Sequence, residues 1–227
     1  MELTLTPRLQ AVADLVPQGA RLADVGTDHG YLPVRLLLDG KIQSAIASDL
    51  RAGPLSRASE TARRYGIRDG LSLRLCPGLD GVTPGEVDCV SIAGMGGETI
   101  ASILEAAPWT RSGTLLLLQP MTAFPDLRLF LQRSGYEIFR ERIAREGRRL
   151  YAVLCVRGGR MEPMTPAELW AGRQQEDELR GPYLEFLEEK LRRVLAGLRR
   201  ANETDEEEIS RLEEILDGLE AMRKELL

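Results

Sequence analysis

One short segment, residues 22–33, constrains the fold more than any other part of the chain. It reads Leu-Ala-Asp-Val-Gly-Thr-Asp-His-Gly-Tyr-Leu-Pro, so a short apolar strand runs directly into a glycine-containing turn. In an α/β protein, the turn between the first strand and the following helix is where a nucleotide-like cofactor binds. The segment therefore predicts an α/β fold with a cofactor site at residues 26–30.

The acid in this turn limits which cofactor can bind. A dinucleotide-binding turn reads G-x-G-x-x-G and rests a pyrophosphate on helix N–H groups, but here Asp28 occupies the second glycine position. A carboxylate there would repel a pyrophosphate strongly. A cofactor without phosphates and with positive groups would tolerate it, and S-adenosylmethionine, with its ammonium and sulfonium, fits. A dehydrogenase is the least favoured interpretation.

Apolar segments between turn residues predict a doubly wound parallel sheet with an added antiparallel hairpin. We expect five strand-to-helix steps before that hairpin. Two threonine-proline pairs predict helix starts, Thr6-Pro7 and Thr165-Pro166, the second within a capping box that ends at Glu168. The predicted strands cover residues 21–25, 44–48, 71–75, 87–92, 115–118, 137–144 and 150–156, and the predicted core helices begin at Pro7 and cover residues 31–38, 54–65, 98–106 and 125–134.

The charge distribution divides the chain near residue 160. Residues 1–160 contain 20 Arg and Lys against 17 Asp and Glu, a net charge of +3, whereas residues 161–227 contain 10 against 18, a net charge of −8. Such asymmetry is a domain signal, and Gly158-Gly159 predicts a hinge. We therefore expect a cofactor-binding domain at residues 1–160 and a second unit at residues 161–227.

In the second unit, two apolar stripes at helical spacing flank a polar break at residues 202–205. This pattern predicts an antiparallel helical hairpin of the coiled-coil type. The hairpin either covers only its own seam or also packs on the first domain. The first stripe is Leu184, Leu187, Leu191, Val194 and Leu198, and the second is Ile209, Leu212, Leu216, Leu219, Met222 and Leu226.

Three further predicted strands end in groups suited to a cofactor site. Asp49 ends the second strand, where an acid of a nucleoside-binding fold accepts hydrogen bonds from ribose hydroxyls, although an ordinary turn aspartate is the alternative. Gly94-Met95-Gly96-Gly97 ends the fourth strand, and its glycines favour close backbone approach to a ligand over a packing turn. Gln119 ends the fifth strand, where its amide either contacts a base edge or satisfies backbone groups.

Other reactive groups are few. His29, the single histidine, is a candidate general base without an identified partner. The three scattered cysteines, Cys76, Cys89 and Cys155, form no metal-ligand spacing and predict small buried residues of a reducing compartment. No apolar run approaches the roughly 18 residues that span a bilayer, and the N-terminal residues do not have the pattern that predicts a signal peptide. We therefore expect a cytoplasmic protein with no metal and no membrane partner.

Arginines supply 27 of the 30 basic residues and are concentrated in two places. If the two sets shared a face they could contact nucleic-acid phosphates, whereas the alternative is an ordinary solvated surface. The first set is Arg140, Arg142, Arg145, Arg148 and Arg149 in the predicted hairpin, and the second is Arg63, Arg64 and Arg68.

Three segments together, residues 23–33, 92–100 and 117–120, resemble the bacterial tRNA (adenine-22-N1)-methyltransferase family. The resemblance extends nearly from end to end and includes the C-terminal hairpin. It implies a class I methyltransferase fold that transfers a methyl group from S-adenosylmethionine to N1 of one adenine in tRNA. It also implies cofactor contacts at Asp24, Gly26, Thr27, Asp28, Gly30, Asp49, Leu50, Gly78, Leu79, Gly94, Met95 and Gly96.

The sequence departs from the family pattern at three places. The family often has Gly-Asp-Gly-Leu after the third strand, where this chain has Cys76-Pro77-Gly78-Leu79, so the adenine contact of that aspartate must come from elsewhere. The family often has Gln-Pro-Asn where this chain has Gln119-Pro120-Met121, so no role of that asparagine carries over. Asp49 replaces a frequent Glu.

Adenine N1 has a free lone pair, so the transfer needs alignment more than a strong base. Asp28 and Gln119 are the candidates for orienting the target base, with His29 as a neighbour. The expected partner is tRNA, and the oligomeric state is open with a monomer favoured. Two alternatives stay open: methylation of another RNA or a small amine, and a cofactor-binding regulator that acts through the helical hairpin.

Overall fold

The computed structural model describes residues 3–173, 176–200 and 205–226 as one seven-stranded sheet flanked by helices. The strands are β1 (Ala20–Val25), β2 (Ile42–Asp49), β3 (Leu71–Leu75), β4 (Cys89–Gly96), β5 (Leu115–Thr122), β6 (Tyr136–Glu146) and β7 (Arg149–Gly158). The helices are α1 (Pro7–Leu15), α2 (Tyr31–Leu38), α3 (Ala52–Arg64), α4 (Gly97–Ala106), α5 (Phe124–Arg133), α6 (Pro166–Ala171), α7 (Arg180–Leu198) and α8 (Glu206–Lys224), with a short 3-10 helix at Pro108–Arg111.

The sheet order is β3-β2-β1-β4-β5-β7-β6. Strands β1 to β5 run parallel, and β7 pairs antiparallel with both β5 and β6. The predicted doubly wound Rossmann-like sheet with an added hairpin is thereby confirmed. Residues 76–88, which follow β3, form turns and no helix, so the structure has four strand-to-helix steps where five were expected.

Apolar side chains fill both faces of the sheet. On one face, Val12 of α1 and Leu36 of α2 pack in a cluster with Leu22 of β1. On the other face, Ile100 of α4 and Leu127 of α5 pack in a second cluster. Because helices cover both faces, the loops at the carboxyl ends of the parallel strands are the natural place for a ligand.

Two predicted helix starts are confirmed. The Thr6 hydroxyl accepts a hydrogen bond from the Leu9 N–H at the start of α1, with Pro7 as the first helical residue. At the start of α6, the Thr165 hydroxyl accepts from the Glu168 N–H at 3.2 Å while the Glu168 carboxylate accepts from the Thr165 N–H at 2.7 Å. This reciprocal pair is the predicted capping box.

The two long C-terminal helices pack with opposite chain directions. Arg199, at the end of α7, pairs with Glu213 in the first half of α8, and Arg223 near the end of α8 pairs with Glu188 of α7 at 3.1 Å. Most of the predicted stripe is buried or half-buried, but Val194 is exposed. Residues 202–204 of the predicted polar break lie outside the described residues, and Asp205 caps α8.

The C-terminal helices share their hydrophobic core with the sheet. Leu187 of α7 and Leu219 of α8 belong to the same buried cluster as Leu118 of β5. A buried ion pair joins Arg128 of α5 to Glu141 of β6, with both nitrogen–oxygen distances at 3.1 Å. The helices therefore pack on the first part of the chain as well as on each other.

The predicted hinge at Gly158-Gly159 is a close-packed junction. A Cβ atom on Gly158 would lie 1.9 Å from the carbonyl oxygen of Arg111, and the Gly159 N–H donates to the carbonyl oxygen of Gly135 at 3.0 Å. Glycine is required here for close backbone approach, because any side chain would collide with Arg111. The expectation of a free hinge is therefore wrong.

Within the described ranges, no helix is both long enough and apolar enough to span a membrane.

Candidate functional site

The turn after β1 is built by glycines in the left-handed region. Gly26 has φ of +73° and Gly30 has φ of +65°, conformations that favour glycine. The N–H groups of Gly26 and Thr27 donate to the carbonyl oxygen of Ser48 at 2.8 and 3.0 Å. A Cβ on Gly26 would lie 1.9 Å from the terminal carbon of Met95. The turn is therefore held against both β2 and the end of β4.

Asp24 lies beneath this turn at the end of β1. It is almost fully buried, and its carboxylate accepts a hydrogen bond from the Ser91 hydroxyl at 2.6 Å. Burial raises the pKa of Asp24, and the Ser91 hydrogen bond offsets that only in part. The Thr27 hydroxyl is close enough to help lower this pKa, yet it makes no hydrogen bond of ordinary geometry with any described residue. This buried hydroxyl has spare capacity for a bound ligand.

Asp28 and His29 occupy the outer side of the turn. Asp28 is exposed and pairs with Arg57 of α3, which holds the pKa of its carboxyl below the usual range, so the group stays ionised. His29 Nε2 lies 3.5 Å from Asp28 Oδ2, and its ring stacks on Tyr31 with centroids 5.0 Å apart. The structure thus places these two predicted residues together at the mouth of the site.

The end of β2 supplies the second acid. The Asp49 side chain is 11% exposed, and its Oδ1 accepts from the Arg51 N–H at 2.8 Å. The segment after β3 lies beside it, because the Ser48 hydroxyl donates to the carbonyl oxygen of Gly78 at 3.1 Å. Of the other predicted cofactor residues here, Leu50 is exposed, whereas the Leu79 side chain packs in the core.

The end of β4 contains a bulge at Gly94, which has φ of +81° and interrupts the register with β5 between Ala93 and Met95. Strand β4 continues to Gly96, so the predicted loop at residues 94–97 is the bulged end of a strand followed by the first residue of α4. A Cβ on Gly97 would lie 2.3 Å from the carbonyl oxygen of Ala123. Bulges of this kind commonly reshape a strand end beside an active site.

Gln119 holds this bulge from below. Its side chain is fully buried, and its Oε1 accepts from the Gly94 N–H at 3.1 Å and from Arg8 Nη1 at 2.7 Å. Its amide nitrogen donates to the carbonyl oxygen of Pro120 at 2.8 Å. The polar atoms of Gln119 are thus engaged within the protein, an arrangement that suits support of the bulge better than direct contact with a base.

Arg8 is the residue that sequence reasoning missed. It projects from α1, and besides Gln119 it lies 3.8 Å from the Glu146 carboxylate and 5.9 Å from the centre of the Tyr151 ring. It therefore links the N-terminal helix, the end of β5 and the β6–β7 hairpin. No local pattern marks it, because its partners lie more than a hundred residues away in the sequence.

The site thus unites the turn after β1, the end of β2 and the bulged end of β4. No group of three or more His, Cys, Asp or Glu side chains in the described part of the chain could hold a metal ion. The site offers an unpaired buried hydroxyl, a buried acid, a second acid at the end of the next strand, and a glycine position where a Cβ would leave no space. These features suit a small, positively charged nucleoside ligand.

A family model described as a methyltransferase domain matches residues 5–154. With the sheet order and the site geometry, this match defines the chain as a methyltransferase of Rossmann-like fold.

Among curated proteins, the tRNA (adenine(22)-N(1))-methyltransferase of Bacillus subtilis (strain 168) is 39% identical over 159 residues, which are 70% of this chain and 67% of that protein. The chain belongs to this tRNA (adenine-22-N1)-methyltransferase family, which confirms the resemblance found in the sequence.

Several solved structures match almost the whole chain, and two of them are complexes with a small molecule. A candidate tRNA (m1A22) methyltransferase of Streptococcus pneumoniae, in complex with S-adenosyl-L-methionine, has a TM-score of 0.84 and 32% identity and covers 97% of this chain and 100% of its own. TrmK of M. capricolum, in complex with S-adenosyl-homocysteine, has a TM-score of 0.77 and 27% identity and covers 98% and 97%. The likeness therefore includes the C-terminal helices.

Proposed function

We propose that this protein transfers a methyl group from S-adenosylmethionine to N1 of adenine 22 in tRNA. The observation that carries the proposal is the acidic glycine turn at residues 26–30, packed between the acid-bearing end of β2 and the Gly94 bulge, in a chain of this family. Asp28 in place of a glycine suits a cationic cofactor and opposes a pyrophosphate.

The residues present fit S-adenosylmethionine. Gly26 and the Thr27 hydroxyl would hold it at the turn, Asp49 would accept hydrogen bonds from its ribose, and the Gly94 bulge would approach its other side. The buried acid Asp24 would favour its positive groups. When bound, S-adenosylmethionine supplies an electrophilic methyl group on a sulfonium.

The protein's own contribution to the reaction is alignment and charge. The lone pair of adenine N1 is available in the neutral base, so no side chain has to remove a proton before the transfer. The methylated base is a cation, and an ionised carboxylate next to it stabilises that charge. Asp28 meets this requirement, because Arg57 keeps it ionised while it remains exposed at the mouth of the site. His29 lies beside it and helps to shape the mouth.

Gln119 and Arg8 act as positioning residues in this proposal. They fix the Gly94 bulge through the 3.1 Å and 2.7 Å contacts to one amide oxygen. A rigid bulge would keep the methyl donor in line with its acceptor, and misplacement by about 1 Å can cost 10²-fold in rate.

We also propose that residues 1–160 carry the chemistry while residues 161–227 form a helical hairpin that supports binding of folded tRNA. The target base would be extruded to reach the site, at a cost of a few kcal/mol that binding elsewhere on the RNA offsets. We expect the protein to act as a monomer in the cytoplasm, where its substrate is found.

The test is methylation of two unmodified tRNA transcripts that differ only in having adenine or guanine at position 22. We expect S-adenosylmethionine binding by calorimetry and 1-methyladenosine by nucleoside mass spectrometry with the adenine transcript alone. Equal methylation of both transcripts would show that the methylated base is not at position 22. Cofactor binding without methyl transfer to tRNA would favour a different acceptor or a regulatory role.

A further inference from the structure

We infer that exposed arginines at the β6–β7 turn contact the RNA backbone beside the methyl-transfer site. The β6–β7 turn here means residues 145–149, that is, the last two residues of β6, the connecting Gly147-Arg148 and the first residue of β7. The inference rests on the proposed function and names the surface that presents the substrate to the site. Arg145, Arg148 and Arg149 carry it.

The sheet register places this turn at the edge that holds the site. Strand β7 pairs antiparallel with β5 through Leu117↔Cys155 and Leu118↔Leu154. Because β5 runs parallel to β1 and β4, the beginning of β7 lies at the carboxyl edge of the sheet, where the cofactor loops gather. The β6–β7 turn joins that end of β7 to the end of β6 and therefore projects from the same edge.

Direct contacts tie the turn to the site. Arg8 lies 3.8 Å from Glu146 of the turn and 2.7 Å from Gln119, which in turn holds the Gly94 bulge. A single side chain thus spans from the turn to the residue beneath the bulge. An RNA strand that delivers a base to the site would pass close to this turn with its flanking phosphates.

The three arginines are available for phosphate. All are exposed, and none makes an ion pair or a side-chain hydrogen bond with residues 3–173, 176–200 or 205–226. Arg145 and Arg148 also line a groove of about 260 Å³ against α7, together with Glu185 and Glu189. These two acids make the groove itself a poor anion site, so the outward side of the turn, with Arg148 and Arg149, is the part that fits a polyanion. Guanidinium groups bind phosphate with two parallel hydrogen bonds.

The second arginine set of the sequence lies at the opposite edge. Arg63 and Arg64 end α3, and Arg68 follows shortly before β3 begins, so they stand at the amino edge of the sheet. The two sets therefore do not form one surface. This separation supplies a matched control, because Arg63 and Arg68 are also exposed and also make no ion pair within the described ranges.

The experiment compares R148Q/R149Q with R63Q/R68Q in the full-length protein, with wild type alongside. Each phosphate contact contributes a slope of about 0.7–0.9 to the fall of log affinity with log salt. With the contribution of a contact taken as zero at 1 M salt, each lost contact lowers the affinity about 5- to 8-fold at 0.1 M salt and about 2-fold at 0.4 M. We expect kcat/KM for tRNA to fall about 25-fold or more in R148Q/R149Q at low salt. The KM for S-adenosylmethionine and the melting temperature should stay unchanged, and R63Q/R68Q should match wild type.

Three results would overturn the inference. The first is an equal fall of kcat/KM for tRNA in both double variants, which would be a general charge effect. The other two are an unchanged kcat/KM in both variants, and a fall in R148Q/R149Q that higher salt does not reduce. The wild-type reaction separates this failure from that of the proposed function. If wild type methylates tRNA and R148Q/R149Q behaves like wild type, only the surface is wrong. If wild type neither binds nor methylates tRNA, the proposed function and the surface fall together.

Discussion

Replacing Arg8 by methionine tests whether the Gly94 bulge is held for alignment or only for stability. Methionine keeps much of the apolar stem of the arginine but loses the guanidinium that donates to Gln119 at 2.7 Å. It also removes the guanidinium that lies 3.8 Å from a Glu146 carboxylate oxygen, an oxygen that is buried without a hydrogen-bond partner among the described residues. The variant therefore weakens the support beneath the bulge without changing any residue of the bulge or of the cofactor turn.

The magnitude follows from these contacts. A hydrogen bond to a charged group contributes about 1.5–3 kcal/mol, and the 20% exposure of the Arg8 side chain favours the lower end. The ion pair with Glu146, at 3.8 Å and partly exposed, adds about 0–1 kcal/mol. We expect a loss of about 2 kcal/mol, which lowers the melting temperature of a chain of this size by about 4–8 °C.

The assay separates alignment from stability. With the bulge loosened, kcat for tRNA methylation should fall about 10-fold or more, while the affinity for S-adenosylmethionine, measured by calorimetry, changes little because no proposed cofactor contact is removed. Arg8→Lys should recover part of kcat, since an ammonium can still donate to Gln119. The matched control is Arg21→Met, which removes a similar arginine paired with Asp88 at 3.1 Å at the amino edge of the sheet. It should lower stability without lowering kcat.

A result in which Arg8→Met and Arg21→Met lower the melting temperature equally and leave kcat equal to wild type would refute the reasoning. So would a kcat of Arg8→Lys no better than that of Arg8→Met, because the cation would then have no role at Gln119.

Three further predictions concern single groups. Asp24→Asn should weaken S-adenosylmethionine binding yet cost little stability near neutral pH, because burial raises the pKa of Asp24 and makes its ionised form costly in the folded protein. The free energy of unfolding of wild type, relative to that of the variant, should fall as the pH rises through that pKa. Chemical denaturation at several pH values measures this difference. Asp49→Asn should raise the Kd for S-adenosylmethionine about 10-fold, the equivalent of about 1.4 kcal/mol, with an unchanged melting temperature of the free protein, and an unchanged Kd would remove Asp49 from the site. Alkylation of the native protein should label the half-buried Cys76 first, because Cys89 and Cys155 are buried and burial raises the pKa of both thiols; mass spectrometry of the peptides checks this, and early labelling of Cys89 would contradict it.

The sequence predicts most of the fold because local patterns encode it. Thr6-Pro7 and Thr165-Pro166 mark helix starts through side-chain and backbone chemistry of adjacent residues, and the structure has both. The apolar runs likewise predict all seven strands in order. Gly158 shows the limit of such patterns. A glycine pair in a sequence suggests a flexible segment, but Gly158 is needed because the backbone of the distant Arg111 leaves no space for a side chain.

The candidate site likewise has some residues that the sequence identifies and others that it does not. Asp28 and the glycines around it are identifiable because they are contiguous and have a chemical meaning on their own. Gln119 could be placed at the end of β5, but the sequence does not reveal that its amide is turned inward, since that depends on Arg8 at a separation of 111 residues. Contacts between site residues that are far apart in the chain therefore cannot be predicted from a single sequence.

The β6–β7 hairpin gives physical meaning to these long-range contacts. At its turn, Glu146 faces Arg8 next to the bulge. Farther from that turn along β6, Glu141 pairs with Arg128, whose third nitrogen donates to the carbonyl oxygens of Leu169 and Trp170 in α6. Removing one partner of a buried arginine–carboxylate pair destabilises a protein by several kcal/mol, so these contacts join the hairpin firmly to α5 and α6. The surface inferred to contact RNA, the bulge beside the cofactor turn and the C-terminal helices therefore share one supporting element. The C-terminal helices are therefore packed against the same element that provides the long-range contacts of the site.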